Sequence, residues 1–184
     1  MEVSQNTNLK MIDKSIKFFG INIAILTISD TRNFDNDKSG STLKKLVEDY
    51  GHMCISRDIV KDEPKELLSI FNKWTNNKNL DVIITTGGTG LTGRDITVDV
   101  LETYFDKKID GFGELFRFIS YKKIGTSTIQ SRATAGIKSG KYIFCLPGSP
   151  SACKDAWEEI LKFQLDIRHK PCNFVEIFPR LNET

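Results

Sequence analysis

The stretch "DVIITTGGTGLTGRD", residues 81–95, decides the fold. Its first part, Asp81 to Thr86, is short, apolar and β-branched, the composition of a strand buried on both faces. Its second part sets Gly87, Gly88, Gly90 and Gly93 among threonines and ends at Arg94-Asp95. Val100, Leu101, Tyr104 and Phe105 then follow at helical spacing. A strand, a bare loop and a helix in that order form one unit of a β-α-β chain.

Working outward, the same alternation recurs on both sides. "INIAILTIS" (21–29), "CISRDIV" (54–60) and "KYIFCLP" (141–147) read as further strands. Leu43, Leu46, Val47 and Tyr50 predict a helix that stops at Gly51. Leu67, Ile70, Phe71 and Trp74 predict another behind Pro64, and Phe112, Leu115, Phe116 and Ile119 one after Gly111. The last helix starts at Ser149 and buries Cys153, Ala156, Trp157, Ile160, Leu161 and Leu165. Segments 131–137 and 141–146 flank "KSGK" and predict a hairpin, which adds an antiparallel edge to a parallel sheet. Strands so continuously apolar need helices on both faces. The expected fold is α/β, a three-layer α/β/α sandwich with a mostly parallel sheet. Residues 1–18 read as an N-terminal extension, 19–184 as a single domain, and "PCNFVEIFPRLNET" as a C-terminal strand or arm.

Composition narrows the function. The 184 residues are 39% hydrophobic with 12 Phe, enough for one sizeable core. The 26 basic and 24 acidic residues nearly cancel, so no field gathers nucleic acid or an anionic membrane. No spanning segment or secretory signal is read, which predicts a cytoplasmic protein. Cys54, Cys145, Cys153 and Cys172 lack metal-ligand spacing, and His52 and His169 do not complete a zinc pattern. They read as reduced core or surface residues.

In an open parallel sheet the ligand crevice lies at the carboxyl ends of the strands. Four loops there carry chemistry: "SDTRNFDNDKSG" (29–40), "KDEP" (61–64), the glycine loop, and "LPGSPSACK" (146–154). Gly88, Gly90 and Gly93 satisfy G-x-G-x-x-G, but the loop follows the third strand, and Glu114 at the ribose-binding distance sits in a helix. No Gly-Lys-Ser/Thr closes it as a P-loop. What remains is backbone N–H groups able to approach a phosphate or a flat polar heterocycle, at a helix N-terminus. Asp95 and Asp62 each read either as helix caps or as a convergent carboxylate pair that holds a divalent metal against a polyphosphate. Ser149 with Pro150 reads as helix initiation or as a second anion pocket.

Taken together, "TTGGTGLTGRDIT", "DGFGELFR", "IGTSTIQSRATAGI" and "FCLPGSPSACKDAWE" resemble the molybdopterin-binding family of molybdenum cofactor biosynthesis, most closely its MoaB branch, relatives of MogA and the gephyrin G domain. The resemblance runs over roughly residues 20 to 180, and the family's fold is the sandwich expected above. It implies a nucleotidyltransferase, a Mg²⁺-dependent molybdopterin adenylyltransferase that joins ATP and molybdopterin and releases pyrophosphate. The alternative is a non-catalytic molybdopterin-binding or assembly protein of the same pathway. A nicotinamide dehydrogenase is a distant third reading.

By similarity, Asp95 and Asp62 are the catalytic pair and the Mg²⁺ ligands, and Gly87, Gly88, Thr89 and Gly90 form the binding loop. Ser29 and Asp30, Ser131 and Arg132, and Pro147, Gly148 and Ser149 match further substrate or nucleotide positions. Val98 stands where many relatives carry Pro, which removes no functional group. The family also implies self-association as trimers or hexamers.

Overall fold

A computed structural model describes residues 11–183, and at its centre is a six-stranded sheet. In chain order the elements begin with β1 (Met11–Ile12), β2 (Asn22–Ile28), α1 (Lys38–Tyr50), β3 (Met53–Val60) and α2 (Pro64–Thr75). There follow β4 (Val82–Thr86), α3 (Thr97–Tyr104), β5 (Lys107–Lys108) and α4 (Asp110–Ile124). After a 3₁₀ turn over Gly125–Gln130 come β6 (Thr134–Lys138), β7 (Lys141–Leu146) and α5 (Pro150–Ala156). Helix α5 runs through a π-helical stretch, Trp157–Leu161, into α6 (Lys162–Gln164), and β8 (His169–Lys170) precedes a last 3₁₀ helix, Val175–Arg180.

The central sheet has the order β3-β2-β4-β7-β6-β5. Strands β3, β2, β4 and β7 are parallel; β6 runs antiparallel to β7, and β5 antiparallel to β6. The expected sandwich with an antiparallel hairpin is therefore present, with one addition. The two-residue β5 forms the edge, too short to register as a strand in the sequence. The carboxyl-terminal stretch forms a 3₁₀ helix rather than a strand.

Each interior strand divides its side chains between two cores, as a period of two requires. Ile23, Ile25, Val82, Ile84, Tyr142 and Phe144 face one layer, built by α1, α4 and α5 through Leu43, Val47, Phe112, Phe116, Cys153 and Trp157. Ala24, Leu26, Ile28, Ile83, Ile143 and Cys145 face the other, built by α2 and α3 through Leu67, Phe71, Trp74, Val98 and Leu101. Val98 is thus a packing residue at the start of α3. Leu115, read as part of α4's buried stripe, is instead 45% exposed, because that helix turns only Phe112 and Phe116 fully onto the sheet. Gly51 ends α1 with a left-handed backbone (φ 107°), as its spacing predicts.

The extension read over residues 1–18 lies outside the described residues as far as residue 10. From there, Met11–Ile12 pairs antiparallel with His169–Lys170. Phe18 lies against His52 and Tyr50, with the Arg168 guanidinium 4.8 Å from its ring centre. Arg168 in turn binds the fully buried Asp166, which also accepts from the Tyr50 hydroxyl at 2.8 Å. Among the described residues no helix is long and apolar enough to cross a membrane. All four cysteines are free, with Cys145 and Cys153 buried.

Candidate functional site

The strand order reverses between β2 and β4, and the loops after β2, β3, β4 and β7 all leave the same edge of the sheet. That is where an open α/β sheet forms its crevice. A cavity of about 390 Å³ lies there. It is lined by Gly87, Gly88, Thr89, Gly90 and Asp95 from the loop after β4, by Pro147, Gly148 and Ser149 after β7, and by Gln130 and Ser131. Phe116, Ser120 and Ile124 of α4 and Ala152 of α5 close it. A cavity of about 490 Å³ on the far side of Ser131 and Arg132 is rimmed by Asp99, Glu102, Asp110 and Glu114 and contains none of the glycine loop. The smaller one gathers the chemistry.

The glycines are there for close approach. Gly87 and Gly88 both take left-handed backbone, φ 108° and 63°. A Cβ on Gly87 would fall 2.1 Å from the Ile28 carbonyl oxygen, and one on Gly88 2.1 Å from Thr97 Oγ1 and 2.4 Å from Asp62 Oδ2. The loop therefore presses its backbone onto the end of β2 and onto a carboxylate, which no side chain would permit.

Neither aspartate caps a helix. Asp62 sends Oδ1 across to the Thr97 hydroxyl at 3.1 Å, at the first turn of α3, leaving Oδ2 beside Gly88. It is only 7% exposed. Burial raises its pKa; the Thr97 bond opposes the rise, and the charges of Asp95 and Asp30 add to it. A carboxylate in that position gains from a cation nearby. Asp95 Oδ2 accepts from the Thr92 hydroxyl and the Thr92 N–H at 3.0 Å, which hold its pKa below the usual range. Among the described residues no three His, Cys, Asp or Glu side chains gather into a preformed metal site. Two carboxylates suit Mg²⁺, which keeps waters and takes its remaining ligands from substrate phosphates.

The other sequence candidates divide. Ser131 joins the cavity, but Arg132 is engaged on every side. Its Nε donates to Gly90 O at 2.9 Å, Nη2 to Asp95 O, and Nη1 to the Asp99 carboxylate. It fastens the two ends of the glycine loop. Asp30 accepts a forked pair from Arg94 at 2.9 Å, and Arg94 also reaches Glu63 at 2.8 Å, so the loop is tied to the ends of β2 and β3. These ties are exposed and screened by solvent, so they orient the loop more than they stabilise it. Ser29 Oγ accepts from the Thr31 and Arg32 N–H groups and shapes the turn after β2. It lines a neighbouring hollow with Asp30, Arg32 and Phe34. Ser149 caps α5, accepting from Ala152 N–H at 3.2 Å with Pro150 in the first turn, and still lines the cavity.

Sequence reasoning missed Phe116, which read only as part of a helix face, and Ser120 and Ile124 further along the same helix. It also missed Asp37, whose position opening α1 before Ser39-Gly40 was the available signal. Asp37 is buried and accepts from Thr27 Oγ1 at 2.6 Å, Arg57 Nη2 at 2.9 Å and Gly40 N–H at 2.9 Å. Burial pushes its pKa up, but these bonds outweigh it and hold the carboxyl below its ordinary value. The Cys153 thiol beneath the cavity is pushed up to about 11 by burial, which makes it no nucleophile.

Comparison with known proteins gives one consistent family. Residues 24–167 match the family described as a probable molybdopterin binding domain. The chain is 42% identical over 164 residues to Molybdenum cofactor biosynthesis protein B of Escherichia coli strain K12, covering 89% of this chain and 96% of that protein. It is 43% identical over 149 residues to the protein of the same name from Staphylococcus aureus strain COL, covering 79% and 88%. Among solved structures, a crystal structure of a Molybdenum cofactor biosynthesis protein B superposes with a TM-score of 0.81 at 36% identity, over 90% of this chain and 98% of that one. The tungsten cofactor synthesizing protein MoaB from Pyrococcus furiosus superposes at 0.68 and 35% identity, over 77% and 90%.

Proposed function

The chain belongs to the molybdopterin-binding family of molybdenum cofactor biosynthesis, and on that premise we propose that it is a Mg²⁺-dependent molybdopterin adenylyltransferase. Its substrates are ATP and molybdopterin, and its products adenylylated molybdopterin and pyrophosphate. One observation carries the reading. The backbone of two loops and the Asp95 carboxylate line one cavity, and the Asp62 carboxylate lies directly beside its Gly88. Among the described residues, the N–H groups of Gly88, Thr89, Gly148 and Ser149 have no hydrogen-bond acceptor. Unpaired amides beside carboxylates suit a polyphosphate with a divalent cation.

In the reaction an oxygen of the molybdopterin phosphate forms a bond to the α-phosphorus of ATP. The bond from that phosphorus to the β-bridging oxygen breaks, and pyrophosphate leaves with the electron pair. A phosphate nucleophile is already anionic and needs no strong base, so the chain's contribution is positioning and charge stabilisation. The loop amides orient the phosphates, and the buried Phe116 gives the cavity an apolar wall. Asp62 and Asp95 would hold Mg²⁺, which neutralises phosphate charge when bound.

The test is pyrophosphate release from ATP with molybdopterin and Mg²⁺. Asp95→Asn keeps an oxygen for Thr92, so it is expected to fold normally and lose transfer. An active Asp95→Asn protein would falsify the assignment. Asp62→Ala should lower metal-dependent turnover more than thermal stability. Normal turnover with a large drop in Tm would make Asp62 a structural residue only.

Self-association as a trimer or hexamer belongs to the same proposal. Leu115, Phe118, Tyr121 and Ile124 of α4, with Ile129 beyond it, are exposed large hydrophobics beside the cavity. A contiguous apolar face of this kind suits contact between copies.

A further inference from the structure

We propose that Arg32 and Ser39, neither of which touches the cavity, are positioning residues that aim the Ser149 N–H at the nucleotide's phosphate. The inference rests on the adenylyltransferase reading and concerns how its second loop is held. Arg32 Nη2 and Ser39 Oγ both donate to the Gly148 carbonyl oxygen, at 3.0 and 2.8 Å, and Arg32 Nη1 donates to Ser39 Oγ at 2.8 Å. Ser39 is fully buried in the first turn of α1. Arg32 is steadied further by the buried Asp37, 3.7 Å away.

The two preceding carbonyls are held as well: Leu146 O by Gly87 N–H at 3.0 Å and Pro147 O by Thr86 Oγ1 at 2.9 Å. A trans peptide is planar, with its C=O and N–H pointing in opposite directions. Thr86 on Pro147 O therefore fixes the direction of Gly148 N–H. Arg32 and Ser39 on Gly148 O fix that of Ser149 N–H. Two donors, one from the turn before α1 and one from α1, converging on one carbonyl set a direction more firmly than one can.

The test uses the full chain with Arg32→Ala, Ser39→Ala, the double variant and Arg32→Lys, titrated with ATP and Mg²⁺ by calorimetry. Each alanine variant should weaken ATP binding about ten-fold, the change that one well-placed hydrogen bond supplies. The double variant should be far less than additive, because both donors serve one acceptor. Arg32→Lys should recover part of the loss, and the KM for molybdopterin should not move. Separately, the NMR order parameter of the Ser149 N–H in the ligand-free protein should fall in the double variant while those of α1 stay rigid. Wild-type affinity retained in all variants, or a lower Tm with unchanged affinity, overturns the inference. If wild-type protein binds no ATP, the adenylyltransferase reading fails, and the Ser149 order parameter alone then decides the positioning claim: an unchanged value overturns it.

Discussion

Two glycines in one loop should respond oppositely to the same substitution. At Gly88 the backbone is left-handed and an added Cβ would overlap Thr97 Oγ1 at 2.1 Å and Asp62 Oδ2 at 2.4 Å, both on buried side chains. Holding alanine in the left-handed region costs about 1–2 kcal/mol. Relieving overlap in a packed site costs about 1–3 kcal/mol more. Gly88→Ala should therefore destabilise by roughly 2–5 kcal/mol. Gly93 has no positive φ and no atom within 4 Å of an added Cβ. Gly93→Ala should be neutral or should stabilise by about 0.4–1 kcal/mol through the entropy of the unfolded chain. Urea denaturation followed by far-UV circular dichroism, with m unchanged, measures both. Equal losses at the two sites, or a silent Gly88→Ala, would refute the claim that the loop is bare where it approaches Asp62 rather than throughout.

Three further expectations follow from the same geometry. Burial pushes the pKa of His52 down to about 4, with Asp166 opposing and Arg168 adding, against 6.5 for the free side chain. The neutral form belongs to the fold, so stability is full above pH 6.5 and is lost as pH falls through the window down to about 4. The loss amounts to roughly 3 kcal/mol; a flat urea midpoint between pH 7 and 5, or a His52 resonance titrating near 6.5, contradicts it. Asp37→Asn removes the charge that Arg57 faces in a buried site and should cost about 3 kcal/mol or more, read by thermal denaturation; a Tm within two degrees of wild type would show that the network is dispensable. On the proposed self-association, Phe118→Glu on the exposed face of α4 should shift sedimentation to the monomer; a wild type that already sediments as a monomer, or a coefficient unchanged by the substitution, overturns the proposed contact through this face.

The fold was legible because its information is local. Strand "DVIITT" and the stripe Leu67, Ile70, Phe71, Trp74 carry their own periodicity, and Gly51 marks its helix end without reference to anything distant. Most of the cavity was legible for a related reason, since glycine loops and Pro-Gly turns follow strands in a fixed order. The partners of the charged residues were not. Asp62 meets Thr97 and Arg132 meets Gly90, Asp95 and Asp99 only once helices and strands have docked. Asp95 reads equally well as a cap, and Asp62 more readily as one, because cap and ligand use the same atoms. Arg32 and Ser39 are separated from Gly148 by 116 and 109 residues, and no local pattern announces such a meeting.

That separation bears on how the protein comes into being. The carbonyl row at Leu146, Pro147 and Gly148 is held by groups from β4, from the turn before α1 and from α1 itself. Strand β7, which delivers the row, is the last parallel strand to be synthesised. A nascent chain stopped before it can have formed β2, β3 and β4 and still bind nothing, whereas strand pairing by itself would already look native to a spectroscopic probe. Ligand binding at the cavity should accordingly lag secondary structure during refolding, as long-range parallel pairing is slow, and a fragment ending before β7 should lack the second wall of the cavity.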